Sequence, residues 1–339
     1  MSTVAGDFLM TYDDPPEATC IIQPARGHAS VAAPRILVVG SINIDIVALM
    51  ERLPAPGETV TGGTLLINHG GKGANQAVAA RRLGAEVRFI GCVGDDTFGQ
   101  ELRQSMAAEG IRVDGLATIA GVNSGTGVIV VDAAGRNQIA VASGANMRLT
   151  VDWVARFAED IAWAQVVVCQ LEVPLDTVLW TLCTARHHGA ITVLNPAPAQ
   201  PLPPEIWPLV DYLTPNEIEA AHLSGLALTA LSDADDVAQM LLAQGSRVVI
   251  LTLGAQGAFV GTLDQMVHVP AFPVTVVDTT AAGDAFNGAL AMALAEGRPL
   301  ARAVRFANAA AGLACTQRGA QNSLPGRAQV DALLTEKSP

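Results

Sequence analysis

Short β-branched runs that alternate with helical patterns constrain the fold of this 339-residue chain more than any other feature. The runs lie at residues 36–39, 87–93, 166–170, 191–195, 212–214 and 248–253. Parallel strands need long crossover connections, which are usually helices, so this alternation predicts a mostly parallel sheet with helices on both faces. The predicted class is therefore an α/β three-layer sandwich.

Two regions, 58–68 and 126–141, interrupt the alternation. They contain closely spaced strand-like segments, and the second has a turn at 132–135 with no helix between its halves. They predict a small β-sheet, which would serve as a lid or a dimer contact because its apolar face must be covered. Residues 1–33 show no sustained periodicity and are expected to be a mobile extension ahead of one domain at 34–335.

The charge balance argues against several classes of partner. Lys and Arg number 20 against 32 Asp and Glu, a net charge of −12, and no basic run occurs, so neither nucleic acid nor an anionic membrane is an expected partner. No apolar run approaches the about 20 residues of a membrane span, and the N-terminus lacks a secretory pattern. The five cysteines suggest neither disulfides nor a zinc site. A cytoplasmic location is expected.

A site for a phosphate group and a base is predicted where a β-branched run, 274–277, ends a strand. Ala281, Ala282 and Gly283 leave the backbone open to a ligand, and Asp284 begins a helical pattern. The free N–H groups and dipole of the first helical turn favour phosphate oxygens. A carboxylate there would repel a resting phosphate, so we interpret Asp284 as the base for an attacking hydroxyl group. A simple helix cap is the competing interpretation.

A glycine cluster at 70–73, with Lys72 inside it, leads into a second helical pattern. Three glycines around one lysine indicate a backbone-open turn that presents polar side chains. It is not a Walker A loop, since Gly73 stands where Ser or Thr would follow the lysine. The first strand also lacks a following G-x-G-x-x-G motif, which disfavours dinucleotide binding. An ordinary strand-to-helix turn is the alternative.

Asn43 and Asp45 follow the first strand and alternate with isoleucines, so their side chains share one face. Open α/β sheets bind ligands at this edge. A neighbouring amide and carboxylate suit a vicinal diol, because the carboxylate can accept two hydroxyl hydrogen bonds. Taken alone, a solvated strand face explains the pattern better.

Further polar turns follow the later strands, at 195–199, 214–219 and 252–257. Asn216 and Glu219 lie three residues apart and share a helix face if a helix begins there. Such a pair could order a hydrated magnesium ion near phosphates, or form a capping box. The glycine turn 252–257 is equally consistent with a β-hairpin.

Taken in order, these motifs resemble those of the ribokinase family of PfkB-type carbohydrate kinases over about residues 35–332. The most specific matches are 70–79, 195–199, 214–217, 281–284 and 319–323. The resemblance implies an α/β sandwich whose β-lid also forms a homodimer interface. It also implies transfer of the γ-phosphoryl group of ATP to the 5-hydroxyl group of D-ribose, with Mg²⁺ and activation by a monovalent cation, K⁺.

The resemblance assigns roles residue by residue. Asp284 is similar to the catalytic base, and Ala281, Ala282 and Gly283 to the anion hole. The sugar-binding positions are matched by Asn43, Asp45, Gly71, Lys72, Gly73, Ala74, Asn75, Glu172 and Asp284. The nucleotide-binding positions are matched by Asn216, Glu219, Thr252, Leu253, Gly254, Ala255, Gln256, Gly257, Gly283 and Asn308, with Glu219 linked to magnesium. The monovalent-cation loop is matched by Asp278, Thr280, Ala314, Gln317, Gly319 and Ser323.

Other functions remain open on the same fold. A kinase for 2-deoxyribose, another small sugar or a nucleoside would use the same chemistry, and one sequence does not rank two pentoses. A non-catalytic sugar-binding regulator is disfavoured, since a sensor has no need of Asp284 beside an anion hole. A dehydrogenase lacks its phosphate-binding fingerprint.

Overall fold

The structure of the protein, a computed structural model, describes residues 33–336. The strands are β1 (Arg35–Val39), β2 (Asn43–Leu49), β3 (Thr64–Gly70), β4 (Glu86–Gly94), β5 (Arg112–Ile119), β6 (Gly125–Val131), β7 (Asn137–Ala142), β8 (Val166–Cys169), β9 (Ile191–Leu194), β10 (Tyr212–Leu213), β11 (Val248–Thr252), β12 (Ala258–Gly261) and β13 (Met266–Val269). The helices are α1 (Lys72–Arg82), α2 (Thr97–Ala108), α3 (Val151–Ala155), α4 (Ala158–Trp163), α5 (Leu175–His187), α6 (Glu217–Ser224), α7 (Ala234–Leu242), α8 (Ala282–Ala295), α9 (Leu300–Ala314) and α10 (Arg327–Glu336).

The large sheet has the strand order β13-β12-β11-β10-β9-β8-β1-β4-β5. Every pair in it is parallel except those that β12 makes with β11 and β13. Each of the six β-branched runs forms a strand of this sheet, so the predicted parallel architecture is confirmed. The run at 212–214 yields only two strand residues, and β5, β12 and β13 extend the sheet beyond the predicted strands.

Alternate residues of the interior strand β1 face two separate cores. Ile36 and Val38 pack in one core, whereas Leu37 and Val39 pack in the other, and all four are fully buried. Helices α1, α2 and α8–α10 contribute to the first core, and α3–α7 to the second. Burying each such side chain stabilises the fold by about 1.5–3 kcal/mol, which explains why the apolar runs are continuous. The three-layer sandwich is confirmed.

A second sheet, with the order β3-β2-β6-β7, is the predicted small sheet, with two differences. Strand β2, which carries Asn43 and Asp45, belongs to it and pairs with both β3 and β6. Residues 58–63 do not, because β3 begins only at Thr64. Gly62 and Gly63 precede that strand with φ of 91° and 97°, a backbone conformation outside the strand region.

The prediction of a strand at 274–277 is wrong. Val276 and Val277 are 59% and 51% exposed, and the N–H group of Val277 donates to the carbonyl group of Cys315 at 2.8 Å. β-branched residues favour a pleated, half-buried surface, but none of the strands in the described part of the chain pairs with this segment. It runs instead as an irregular connection into α8.

The predicted N-terminal extension, residues 1–33, lies outside the described residues apart from residue 33, and its role stays a prediction. Within residues 33–336, no helix is both long enough and apolar enough to cross a bilayer. The cysteines in that range, Cys92, Cys169, Cys183 and Cys315, are free thiols.

Candidate active site

A cavity of about 210 Å³ lies at the carboxyl ends of the strands β9–β11, beside the amino end of α8. It brings together predicted residues from separate segments of the chain: Lys72, Asn216, Glu219, Thr252, Ala281, Ala282, Gly283 and Asp284. A larger cavity of about 540 Å³ lies at the opposite end of these strands and contains no predicted residue. We assign the site to the smaller cavity, since parallel sheets bind ligands at their carboxyl edge.

Helix α8 places Asp284 in this cavity. The helix begins at Ala282, after Ala281, which is the only non-glycine residue with a positive φ (59°) among residues 33–336. A left-handed alanine costs about 1–2 kcal/mol, and such strain is concentrated at functional sites. Asp284 is the third helical residue and not the N-cap, so the interpretation of Asp284 as a simple cap is wrong.

The carboxylate of Asp284 is buried, and each of its oxygens accepts a hydrogen bond from α1. Asn75 Nδ2 donates to Oδ2 at 2.8 Å, and Gln76 Nε2 donates to Oδ1 at 3.0 Å. Burial raises the pKa of Asp284, while the Lys72 ammonium group and the two amides act in the opposite direction. A carboxylate held in one plane, with a raised pKa, has the properties of a general base.

Lys72 supplies the positive charge of the cavity. Burial alone would lower the pKa of Lys72, but the nearby carboxylates of Asp284, Glu172 and Glu219 outweigh it and raise that pKa. The ammonium group therefore stays charged at neutral pH, and a charge of this kind can pair with a phosphate oxygen.

The glycine cluster lets α1 begin against the turn after β1. Gly71 has a φ of 86°, and a Cβ atom on it would lie 2.7 Å from the Cα atom of Ile42. A Cβ atom on Gly73 would lie 2.7 Å from the backbone nitrogen of Ser41. The N–H groups of Gly73 and Ala74 both donate to Ser41, and Ala74 is fully buried. Gly73 and Ala74 thus hold the first turn of α1 against the turn that follows β1.

Asn43 and Asp45 lie over glycines of the neighbouring strands of the small sheet. A Cβ atom on Gly127 would lie 2.5 Å from Asp45 Oδ1, and one on Gly125 would lie 2.1 Å from Asn43 Oδ1. The missing side chains leave room for the two polar groups to lie flat on the sheet. Burial raises the pKa of Asp45 to about 6, and the negative charges of Glu172 and Asp284 add to this effect.

Glu172, which follows β8, connects the turn after β1 to the glycine cluster. Its Oε2 atom accepts hydrogen bonds from Ser41 Oγ at 2.5 Å and from the backbone N–H group of Lys72 at 3.2 Å. Asp45, Glu172 and Asp284 therefore form an acidic group around the amino end of α1, as expected for a surface that accepts several sugar hydroxyl protons.

Asn216 and Glu219 form the capping box of α6, which confirms the structural alternative. Asn216 Oδ1 accepts the N–H group of Glu219 at 2.9 Å, and Glu219 Oε2 accepts that of Asn216 at 2.9 Å. Burial raises the pKa of Glu219, which also lines the cavity. No cluster of three or more His, Cys, Asp or Glu in the described range could hold a metal ion. Asn216 and Glu219 would fit a Mg²⁺ ion held through water, since this ion usually keeps several waters.

The predicted nucleotide residues at 252–257 form a β-hairpin connection, as the alternative proposed. Gly254–Gln256 make a 3-10 turn between β11 and the antiparallel β12, and Thr252 faces the cavity. Asn308 does not line the cavity, since its Nδ2 atom donates to the carbonyl groups of Val269 and Pro270 at 2.9 and 3.2 Å. Asn308 thus anchors the end of β13.

Asp278 joins the two segments of the predicted cation loop, near residues 278–280 and 314–323. Its Oδ1 atom accepts the N–H group of Thr280 at 2.9 Å, and its Oδ2 atom accepts that of Gly319 at 2.9 Å. Ser323 Oγ donates to the carbonyl group of Ala320 at 2.9 Å. One carboxylate with hydroxyl and carbonyl oxygens is a hard, weakly charged donor set, which fits a monovalent cation better than a transition metal.

Several residues that support the site were not predicted. Gln76 lies in the matched segment 70–79, but the sequence predicts no role for it. Thr214 Oγ1 donates to Asn287 Oδ1 at 2.6 Å, and Asn287 Nδ2 donates to the carbonyl group of Gly283 at 2.8 Å. The position of Asn287 three residues after Asp284, on the same helix face, was an available signal. Asn146 Nδ2 donates to Asn43 Oδ1 at 2.7 Å, a contact across 103 residues that no local pattern indicates.

Comparison with known proteins identifies the family of the chain. The chain is 42% identical to a ribokinase of Haemophilus influenzae over 292 residues, which are 86% of this chain and 95% of the relative. It is 36% identical to a deoxyribokinase of Salmonella typhi, covering 88% of this chain and 98% of that protein.

A solved structure of Arabidopsis thaliana ribokinase complexed with ribose and ATP has a TM-score of 0.83 to this chain at 31% identity. The match covers 91% of this chain and 100% of the plant protein. The family described as pfkB family carbohydrate kinase matches residues 33–327, which include every residue of the cavity. The chain belongs to the pfkB family of carbohydrate kinases.

Proposed function

We propose that the chain transfers the γ-phosphoryl group of ATP to the 5-hydroxyl group of D-ribose and yields D-ribose 5-phosphate. The observation that carries this proposal is the buried carboxylate of Asp284 at the amino end of α8, in one cavity with the Lys72 ammonium group. The ribokinase relatives and the plant complex with ribose and ATP support the choice of both substrates.

The sugar is bound between α1 and the small sheet. Asn75 uses its Nδ2 atom to donate to Asp284, while its buried Oδ1 atom has no hydrogen-bond partner among residues 33–336. A buried acceptor without a partner is costly, and a sugar hydroxyl group would satisfy it. Asp45 supplies two further acceptor oxygens in the same acidic group, and Asn43 lies beside it.

The base then acts on the sugar hydroxyl group, and the anion site acts on the γ-phosphoryl group. The 5-hydroxyl proton passes to Asp284, and the oxygen bonds to the γ-phosphorus. The bond from that phosphorus to the bridging oxygen breaks, and ADP leaves with the electron pair. The N–H groups of Ala281 and Gly283 have no partner within the described residues, which supports their role as an anion hole. The N–H group of Ala282 donates to the carbonyl group of Thr279 at 3.2 Å, so its share in that role needs this turn to open.

Two ions complete the proposal. Mg²⁺ beside the phosphates, held through water by Asn216 and Glu219, would neutralise phosphate charge. K⁺ at the loop of Asp278, Thr280, Ala314, Gln317, Gly319 and Ser323 would neutralise the Asp278 carboxylate and stabilise the turn that leads to Ala281. The residues Thr252 and Leu253, with the hairpin turn Gly254–Gly257, and Asn308 would position the nucleotide.

A homodimer through the small sheet completes the assembly that we propose, acting in the cytoplasm. Leu65, Ile67 and Val128 are 61%, 52% and 49% exposed, and Ile67 and Val128 flank Ile46 in register on one face. A contiguous exposed apolar face of this kind marks an interaction surface. The sheet also carries Asp45 on its other face, so dimer formation would stabilise the strands that bind the sugar.

The deoxyribokinase relative makes 2-deoxyribose the second candidate acceptor. A screen of ATP consumption over pentoses, hexoses and nucleosides tests both candidates. We expect the highest kcat/KM with D-ribose, and product analysis should locate the phosphate on the 5-hydroxyl group. A higher kcat/KM with 2-deoxyribose would make that sugar the acceptor in place of D-ribose. If no compound in the screen caused ATP consumption, the kinase proposal would be contradicted.

A further inference from the structure

We propose that Gln76 is a positioning residue for phosphoryl transfer, and that Asn195 and Gln170 hold its amide in the orientation that faces the carboxylate of Asp284. This inference rests on the proposed role of Asp284 as the base. Gln76 touches neither reacting group in the proposed reaction, and it acts through Asp284.

A chain of three buried side chains carries the inference. Gln170 Nε2 donates to Gln76 Oε1 at 2.7 Å, and Gln76 Nε2 donates to Asp284 Oδ1 at 3.0 Å. Gln76 Nε2 also donates to Asn195 Oδ1 at 3.1 Å. Both glutamines are fully buried, so water does not compete for these bonds.

The partners of Gln76 permit only one orientation of its amide. If the amide turned over, its oxygen would face two acceptors, Asp284 Oδ1 and Asn195 Oδ1, whichever way the amide of Gln170 is turned. Asn195 is held in turn, since its Nδ2 atom donates to the carbonyl group of Thr214 at 3.1 Å. The donor that faces the base is therefore set by residues at the ends of β8, β9 and β10.

This donor affects the base in two ways. With Asn75 on the other oxygen, it fixes the plane of a carboxylate whose χ2 torsion would otherwise be broad. A donor to the ionised form also lowers the pKa of Asp284 against the effect of burial, so it favours the ionised form of the base. Loss of the donor should therefore misplace the base and raise its pKa.

A purely structural role for Gln76 makes a different prediction. Gln76 also joins α1 to the large sheet, and removing a buried amide would leave Gln170 Nε2 without an acceptor and lower the stability. A stability loss alone would not move the pH at which the base titrates. The pH profile of kcat/KM therefore separates the two roles, because its acidic limb reports the base in the free enzyme.

The experiment compares Gln76→Met, which has a similar volume without a donor, with the unmodified full chain under the proposed assay. We expect kcat to fall by about 10- to 100-fold with little change in the KM of the sugar, since a small misplacement of a catalytic group costs that much. We also expect the acidic limb of kcat/KM to move upward by about 0.5 pH unit or more, because the ionised base loses one hydrogen-bond donor.

Gln170→Met leaves the Gln76 donor in place but removes the hydrogen bond to Gln76 Oε1. It should therefore move the acidic limb of kcat/KM upward by less than Gln76→Met does. Thr181→Val is the control, because Thr181 is buried and bonds within α5 to the carbonyl group of Thr177, away from the cavity. It should change the melting temperature only. If Gln76→Met does not fold, Gln170→Met decides the question.

The inference would be overturned if the acidic limb of kcat/KM did not move and kcat stayed within about twofold of the unmodified chain. This holds for Gln76→Met or, if that variant does not fold, for Gln170→Met. Asp284→Asn is measured alongside. If that variant stays active, the base assignment itself fails. If it is inactive while the glutamine variants behave as the unmodified chain, only the positioning role fails.

Discussion

Asn75 and Asp284 are 209 residues apart in the chain, yet their side chains meet at 2.8 Å. This hydrogen bond joins the amino ends of α1 and α8, and the close approach of the two helices makes it possible. A Cβ atom on Gly288 would lie 2.6 Å from Ala79 Cβ, so α8 needs a glycine where it crosses α1. The amides of α1 thereby reach the carboxylate on α8.

Replacing Asp284 with Asn should lower kcat by at least ~10³ while sugar and ATP binding survive, because the amide keeps the volume but cannot accept a proton. Steady-state kinetics with direct binding measurements would test this. Asp211→Asn is the matched control, since Asp211 is buried and paired with Arg186 outside the cavity. Near-normal turnover of Asp284→Asn would rule out the base assignment.

Asp45→Ala should raise the KM of the sugar and leave the KM of ATP unchanged. The substitution leaves sugar hydroxyl groups without their acceptor at a cost of about 1–3 kcal/mol, which corresponds to about 5- to 150-fold in KM. Initial rates at varied sugar and ATP would show it. The reverse pattern, with lost ATP affinity and an unchanged sugar KM, would mean that the two sites are exchanged.

Asp45 should also make the stability depend on pH. Its pKa is raised from 3.8 to about 6 in the folded state, so the folded protein binds more protons than the unfolded chain between these values. The contribution of Asp45 to stability is therefore full below pH 3.8 and is lost as pH rises through about 6. Asp45→Asn should melt at a higher temperature than the unmodified protein at pH 7, with the gain shrinking toward pH 4. Equal gains at both pH values would contradict the raised pKa.

A lysine at Ile67 should dissociate the proposed dimer, because a charge in an apolar interface loses its hydration. Light scattering at micromolar concentration would report the mass. Leu263→Lys is the control, since Leu263 is 88% exposed on the turn between β12 and β13 of the large sheet. A monomer before any substitution, or an unchanged dimer in Ile67→Lys, would each exclude this interface.

Activity should rise severalfold when K⁺ replaces tetramethylammonium at constant ionic strength. Burial acts to raise the pKa of Asp278, but hydrogen bonds from Gly319 and Thr280 outweigh it and lower that pKa, so the carboxylate is ionised and can hold a cation. A fixed loop would keep the amides near Ala281 directed at the developing charge. Asp278→Ala should lose the activation and most of the rate. Equal turnover in both salts would mean that this loop has a structural role and binds no activating cation.

The sequence by itself determined the parallel sheet, its two helical layers and the edge at which the site lies. These follow from burial, because a strand covered on both faces must be apolar throughout, as the run 36–39 shows. The cavity residues Lys72 and Asp284 were also predicted from the sequence, since glycine-rich turns and helix starts are local patterns. The capping box of Asn216 and Glu219 is local in the same sense.

Only the tertiary structure decided which polar groups meet. The run 274–277 has the composition of a strand but no strand to pair with, and β2 joins the small sheet because β3 and β6 lie beside it. Gln76 reaches Asp284 across 208 residues, and nothing near Gln76 in the chain indicates that contact. Hydrogen bonds between distant side chains depend on how helices pack on the sheet, and local propensity contains no information about that packing.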